Sequence, residues 1–275
     1  INLGYYTSVI GLGQTPADTV VLGNIEVPNN IDPCIGALNS FFRSISNLTI
    51  KPTGGTVFFR TSQACPIRSV VIDGDFATSE FQKGCGGDLR LGGYSSGGFA
   101  ADLQITGKLL MATQQQFLVI NSKFSNVTGG AWNLRYIACE GDIAVTPCTP
   151  QSKPLISKLD TFPGTTSESP RFNINATGEY SIISFPIYTD STGLLPVGDE
   201  VVISDIFVAN KSHSVDTINE NLSKGISVVF SPGVYYFDRP VVISKSNTVL
   251  MGLGYASITA TDGNVAVLVN DGLEN

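Results

Sequence analysis

The sequence predicts an all-β protein: a right-handed parallel β-helix, with most of one helix followed by the opening of a second. Three observations carry that prediction. Residues 207–254 read as a short helix followed by three short strands at close spacing. A helix placed there covers the open end of a coil stack, which would otherwise expose apolar side chains and unpaired backbone. Strand-like runs of about three to five residues recur through residues 1–150, separated by Gly, Pro, Asn or Asp, at intervals that drift between about 15 and 32 residues. And Thr7-Ser8-Val9-Ile10-Gly11-Leu12-Gly13 returns, nearly intact, as Thr248-Val249-Leu250-Met251-Gly252-Leu253-Gly254. That interval is the size of a whole β-helix domain rather than of one coil, which indicates a tandem of two similar stacks.

Taken in order, residues 7–10 and 20–27 form the first strand-like runs, divided by Thr15-Pro16-Ala17-Asp18, and residues 36–43 read as an irregular or short helical insert. Strands follow at 48–50, 56–60, 69–72, 102–105, 117–120 and 133–137. Residues 84–98 are a Gly-rich loop. It lacks the Gly-Lys-Ser/Thr ending of a phosphate-binding loop and suits a place where backbone approaches closely. Residues 147–169, rich in Pro, Ser and Thr, read as the exit from the first stack into a linker. The expected division is therefore 1–150 for the first β-helix, 151–205 for linker and bridging strands, and 206–275 for the opening of the second. In that opening Ser214 caps a helix whose Val215, Ile218 and Leu222 share a face, and Gly225 stops it. Three strands follow, at 227–230, at 235–237 with 241–243 after a Pro break, and at 248–251, with turns at Pro232-Gly233 and Ser246-Asn247. A sandwich would show Asn-Gly or Asp-Gly hairpins between long alternating runs. Here only Asp73-Gly74 and Asp262-Gly263 occur, and neither is so placed.

Composition narrows the partners. The chain has 275 residues, a formal net charge of −7 and 29 glycines, with only 14% charged residues. An acidic chain with no basic patch disfavours nucleic acid. No apolar run is long enough to span a membrane. A neutral polysaccharide fits, as does self-assembly. Absence of an initiating Met and of a signal peptide reads as a start inside a domain, or a mature or truncated product. Five cysteines and five Asn-x-Ser/Thr sequons, at Asn47, Asn126, Asn175, Asn210 and Asn221, indicate an extracellular glycoprotein. Cys139 with Cys148 and Cys65 with Cys85 are candidate disulfides, each worth about 2–4 kcal/mol, against the alternative of buried free thiols. Asn47 sits where a coil turn can bury an Asn ladder, so a structural role is as well supported there as a glycan.

At residues 92–124, GGYSSGGFAADLQITGKLLMATQQQFLVINSKF, the chain resembles proteins related to family 55 glycoside hydrolases, β-1,3-glucanases built of two tandem right-handed β-helices. The resemblance extends to GYYTSVIGLGQTPAD (residues 4–18), NLTIKPTGGT (47–56) and the 207–254 opening, with a gap through 147–202. It implies a secreted protein acting on β-1,3-glucan in a groove between the helices. The general acid of such enzymes is a Glu in the second helix, and no residue of this chain matches it. Gln114, Gln115 and Gln116 resemble a glutamine-bearing coil facing the groove. Relatives carry an Arg-Asn pair shortly after it, whereas here the pair is Ile120-Asn121. The resemblance thus makes Gln114, Gln115, Gln116 and Asn121 the candidate sugar contacts.

Glycoside hydrolysis needs two carboxyl groups set across the sugar, about 5–5.5 Å apart for retention and about 6.5–9.5 Å for inversion. The sequence offers Asp73 with Asp75, Glu140 with Asp142, and Asp199 with Glu200. All lie in turn-like sequence, where Asp serves local hydrogen bonding. His213 is the only histidine and reads as a solvated loop residue, which removes Ser-His-Asp catalysis and His-based metal sites. No metal or cofactor is expected. The glutamines could equally form a polar ladder, and Trp132, Tyr94 and Tyr255, candidate sugar platforms, read more readily as core. Two functions remain: a glucanase-like protein whose catalytic acid lies outside the chain, or a non-catalytic glycoprotein that forms filaments or a surface layer.

Overall fold

The computed structural model describes residues 1–28, 37–79, 95–147, 149, 154–161, 168–186, 198–261 and 263–273. They divide into two compact units, one holding residues 1–161 and the other residues 168–273. Among the described residues no helix is long and apolar enough to cross a membrane.

The first unit is a stack of parallel rungs. One ladder runs through Thr7–Ile10, Arg43–Lys51, Pro66–Ile72, Gly98–Ala101, Gln116–Ile120, Asn133–Ile137 and Leu155–Leu159, every pairing parallel. A second runs through Thr56–Phe58, Asp75–Ala77, Leu109–Ala112 and Lys123–Gly129. The interior explains the Val, Ile and Leu content. Val9, Ile45, Ile67, Ala100, Val119 and Tyr136 occupy one register position in successive rungs, so each apolar side chain lies on the next. Val57, Phe76, Leu109 and Val127 form a second such column. All of them belong to, or pack against, one continuous core.

Long strands turn a corner without breaking. Asn47 and Ser69, inside Arg43–Lys51 and Pro66–Ile72, have φ of 54° each, and Asp102, Asn121 and Ala138 repeat that conformation at 58°, 44° and 51°. A single left-handed residue swings the chain from one face to the next, and Asn and Asp tolerate it best. Asn47 is fully buried there, and its Nδ2 donates to the carbonyls of Gly11 and Gly13 at 2.8 and 2.7 Å. Asn121 Nδ2 donates to Asp102 Oδ1 at 2.6 Å. The stack continues beyond its expected end: Leu155–Leu159, in the span assigned to linker, pairs with Asn133–Ile137 over its whole length. Its sequence, LISKL, carries little periodicity. An open ladder edge supplies what the local signal does not.

The second unit opens on the three-stranded antiparallel sheet of Arg171–Ile174, Tyr180–Ser184 and Asp199–Val202. Here hairpin pairing replaces stacking. Asn175 Oδ1 accepts from the backbone N–H of Thr177 and Glu179 and closes the first turn. From Phe207 the chain coils as expected. Phe207–Ala209, Val228–Phe230 and Leu250–Gly252 pair in parallel, as do Val234–Phe237 with Ser257–Ala260 and Val241–Ile243 with Val267–Val269. These are three faces of a coil. The helix Val215–Ser223 buries Val215, Ile218 and Leu222 in that core. Ser214 Oγ accepts from the Thr217 N–H at its start. At its end the N–H groups of Gly225 and Ile226 reach the carbonyls of Leu222 and Asn221, a Schellman closure with Gly225 at φ 83°. Both Gly-Leu-Gly segments leave a parallel strand, Thr7–Ile10 in one unit and Leu250–Gly252 in the other.

Candidate functional site

In the first unit, parallel register brings Gln116 directly beside Asn133, and Leu118 beside Arg135, on neighbouring rungs about 4.8 Å apart. These side chains and Gln63 line a shallow cleft of about 360 Å³, floored by Gly97 and Gly98. Glycine is required in that floor: a Cβ on Gly98 would stand 2.2 Å from the ring of Phe117. The amide pair and the Arg135 guanidinium offer both acceptors and donors, the combination that hydroxyl groups need, since each hydroxyl gives one hydrogen bond and accepts others. Among the described residues no carboxylate lines the cleft. The described side chains can therefore hold a hydroxyl-rich ligand.

The four expected contacts separate. Gln116 is exposed at the cleft and Gln115 half-buried beside it. Gln114 is completely buried: its Oε1 accepts from the Gly97 N–H at 3.1 Å, and its Nε2 donates to the carbonyls of Thr61 and Thr78 at 3.0 and 3.1 Å. Gln114 thus holds successive rungs together. Asn121 is buried in the corner ladder on Asp102. Sequence reasoning missed Gln63, Asn133 and Arg135. Variable loop lengths hide which residues share a row, and only the rung register reveals it.

One acid of each pair is engaged locally. Asp75 Oδ1 accepts from the Lys108 N–H at 2.7 Å. Glu140 pairs with Lys123 at 2.9 Å on an exposed strand. Glu200 Oε1 accepts from Asn173 Nδ2 at 3.1 Å and from Ser181 Oγ at 2.5 Å. Among the described residues no group of His, Cys, Asp and Glu could hold a metal. His213 is less solvated than expected: its ring is half-buried, packs against Phe207 with centroids 4.9 Å apart, and accepts the Asn210 N–H on Nδ1. The expectation of core positions for the aromatics is reversed for Trp132 and Tyr255, which are 45% and 70% exposed. Tyr94 lies outside the described residues.

Cys65 and Cys139 are free, buried thiols, so neither expected disulfide is formed at these two positions. Both point into the coil interior, where the sulfur meets backbone carbonyls: Ser40 O at 3.1 Å for Cys65, Ile137 O at 3.3 Å for Cys139. Burial drives both thiols upward in pKa, Cys139 to about 11. Cys34, Cys85 and Cys148 lie outside the described residues. Among the sequons, Asn47 is excluded as an acceptor in the folded protein by its burial. Asn210 is exposed, Asn126 and Asn175 are half-buried, and Asn221 Nδ2 donates to the Thr217 carbonyl one helical turn back.

Comparison with known proteins bears on the whole chain. Residues 206–273 match the LAM55 pectate lyase-like domain family. The chain is 31% identical over 278 aligned residues to the exo-β-1,3-glucanase of Streptomyces sp. (strain SirexAA-E / ActE), covering 98% of this chain and 43% of that protein. It superimposes on the solved structure of sacteLam55A from Streptomyces sp. SirexAA-E with a TM-score of 0.81 at 30% identity, over 98% of this chain and 47% of the other. A glutamate-to-alanine variant of sacteLam55A in complex with glucose gives the same TM-score. The chain thus spans less than half the length of these relatives, and the resemblance to β-1,3-glucanases of family 55 includes the stretch through 147–202 that its motifs had left blank.

Proposed function

We propose, from this kinship with family 55 glycoside hydrolases, that the protein acts on β-1,3-glucan, that residues 1–275 supply glucan-holding surface, and that the catalytic acid lies outside them. The observation that carries the reading is identity of 31% sustained over 98% of the chain with a protein named as an exo-β-1,3-glucanase. The geometry supports a binding role: the cleft at Gln116, Asn133 and Arg135 offers hydrogen-bonding groups, with no carboxyl group among its described residues. We further propose that the protein is secreted, with the exposed Asn210 the first sequon to carry a glycan. Nothing in the comparisons favours a filament-forming glycoprotein.

The test is glucose release from laminarin by the full-length protein. Gln116→Ala combined with Asn133→Ala removes two neutral hydrogen bonds of about 0.5–1.5 kcal/mol each, so KM should rise about tenfold with the fold intact. Absence of glucose release from laminarin by the unaltered protein would sink the reading.

A further inference from the structure

The second unit contains a cleft of about 490 Å³ to which the reading above assigns no role. Five side chains converge on it: Lys211, His213, Tyr236, Asp238 and Arg239. We propose that it is a second saccharide-binding site, taking a short neutral oligosaccharide with one sugar face on Tyr236 and its hydroxyls on the surrounding polar groups.

The aromatic is presented rather than merely exposed. Along Val234–Phe237, Tyr235 and Phe237 point into the core and hold the strand, while Tyr236 faces outward at 69% exposure. Its neighbour on the next rung is the outward-facing Thr259, too small to cover the ring. An aromatic face set on a rigid strand loses little entropy when a pyranose lies on it.

The polar groups are held in place by contacts that leave bonding capacity unused. Arg239 Nη2 donates to Asp216 at 2.9 Å, and Arg239 Nε lies 3.6 Å from Asp238. The guanidinium carries five N–H donors, so several stay available at its exposed edge. His213 Nδ1 accepts from the Asn210 N–H at 3.0 Å, which leaves the proton of the neutral ring on Nε2 as a donor. The Lys211 stem lies across Gly233, where an added Cβ would meet Cε at 2.3 Å, so the glycine makes room for the lysine. Asp238 supplies acceptors. Donors and acceptors around one aromatic face suit hydroxyls, whereas an anionic ligand would meet Asp238 and a cationic one Lys211 and Arg239.

The test is calorimetric titration of the full-length protein with laminaritriose and with cellotriose, repeated on Tyr236→Ala and Lys211→Met. Both substitutions are on the surface, and circular dichroism checks that the fold is retained. Weakening of at least tenfold in either variant for one of the trioses, with laminarin hydrolysis retained, supports the site. Affinities equal to those of the unaltered protein overturn it, and so does failure of both trioses to bind the unaltered protein. The outcomes separate this proposal from the glucanase reading. Glucose release with unchanged triose affinities sinks only the second site, and variant-sensitive triose binding without any glucose release sinks only the hydrolytic function.

Discussion

Replacing Gln114 by leucine distinguishes a rung-to-rung tie from a sugar contact. The side chain is fully buried, and leucine keeps much of its volume while removing three hydrogen bonds. The Gly97 N–H and the Thr61 and Thr78 carbonyls would then be left facing an apolar group. An orphaned buried N–H costs about 1–3 kcal/mol, and each carbonyl, with a second lone pair to reorient, about 1 kcal/mol, giving about 3–5 kcal/mol in all. Domains are stable by only about 5–15 kcal/mol, so this is a large share. With a urea m-value of about 2 kcal/mol/M, the unfolding midpoint of the first unit should fall by about 2 M. Gln114→Glu should be at least as damaging: its carboxylate retains the acceptor for Gly97 but turns negative charge toward two carbonyls in a site without solvent. The assay is urea denaturation followed by circular dichroism, together with laminarin binding measured well below the midpoint. A Gln114→Leu protein with unaltered stability and lost laminarin binding would refute the argument and return Gln114 to the sugar site.

Two further outcomes follow from buried polar groups. Asn47→Ala should cost about 2–4 kcal/mol in urea denaturation, from two lost hydrogen bonds plus a left-handed backbone that alanine tolerates poorly, while Asn47→Gly should cost less because glycine accepts φ of 54°; equal stability of all three proteins would contradict the corner-ladder account. Cys139 is held as a neutral thiol, raised by burial from 9.0 to about 11, so its contribution is fully present below pH 9 and is lost as pH rises through 11, up to about 3 kcal/mol. The stability difference between pH 8 and pH 11 should shrink in Cys139→Ala, and Cys139 in the native protein should resist thiol-specific labelling at pH 8; rapid labelling without unfolding would show that the sulfur is accessible.

What could be read in advance depended on local signals. The capping helix was legible because its instructions are contiguous: Ser214 before it, Val215, Ile218 and Leu222 on one face, Gly225 after it, all observed in those roles. Strands such as Thr7–Ile10 and Asn133–Ile137 appeared where expected because apolar runs bounded by turn residues are also local. Leu155–Leu159 was not legible, since its strand character comes from the rung it joins.

The candidate site shows the same division. Sequence alone determined the residue types: amides in the Gln114–Gln115–Gln116 run, a corner asparagine at 47, and the family kinship they helped to signal. Which amide is buried was decided by tertiary structure. Three consecutive glutamines straddle the wall of the stack, so Gln114 turns onto backbone inside it and Gln116 faces solvent. Asn133 joined Gln116 for the same reason: intervening loops set the distance along the chain, whereas hydrogen bonding between rungs sets the distance in space. Loop length costs little and varies freely, while ladder register is held at every residue. The chain could therefore announce a stack of coils, but only the stacked coils could choose which side chains meet.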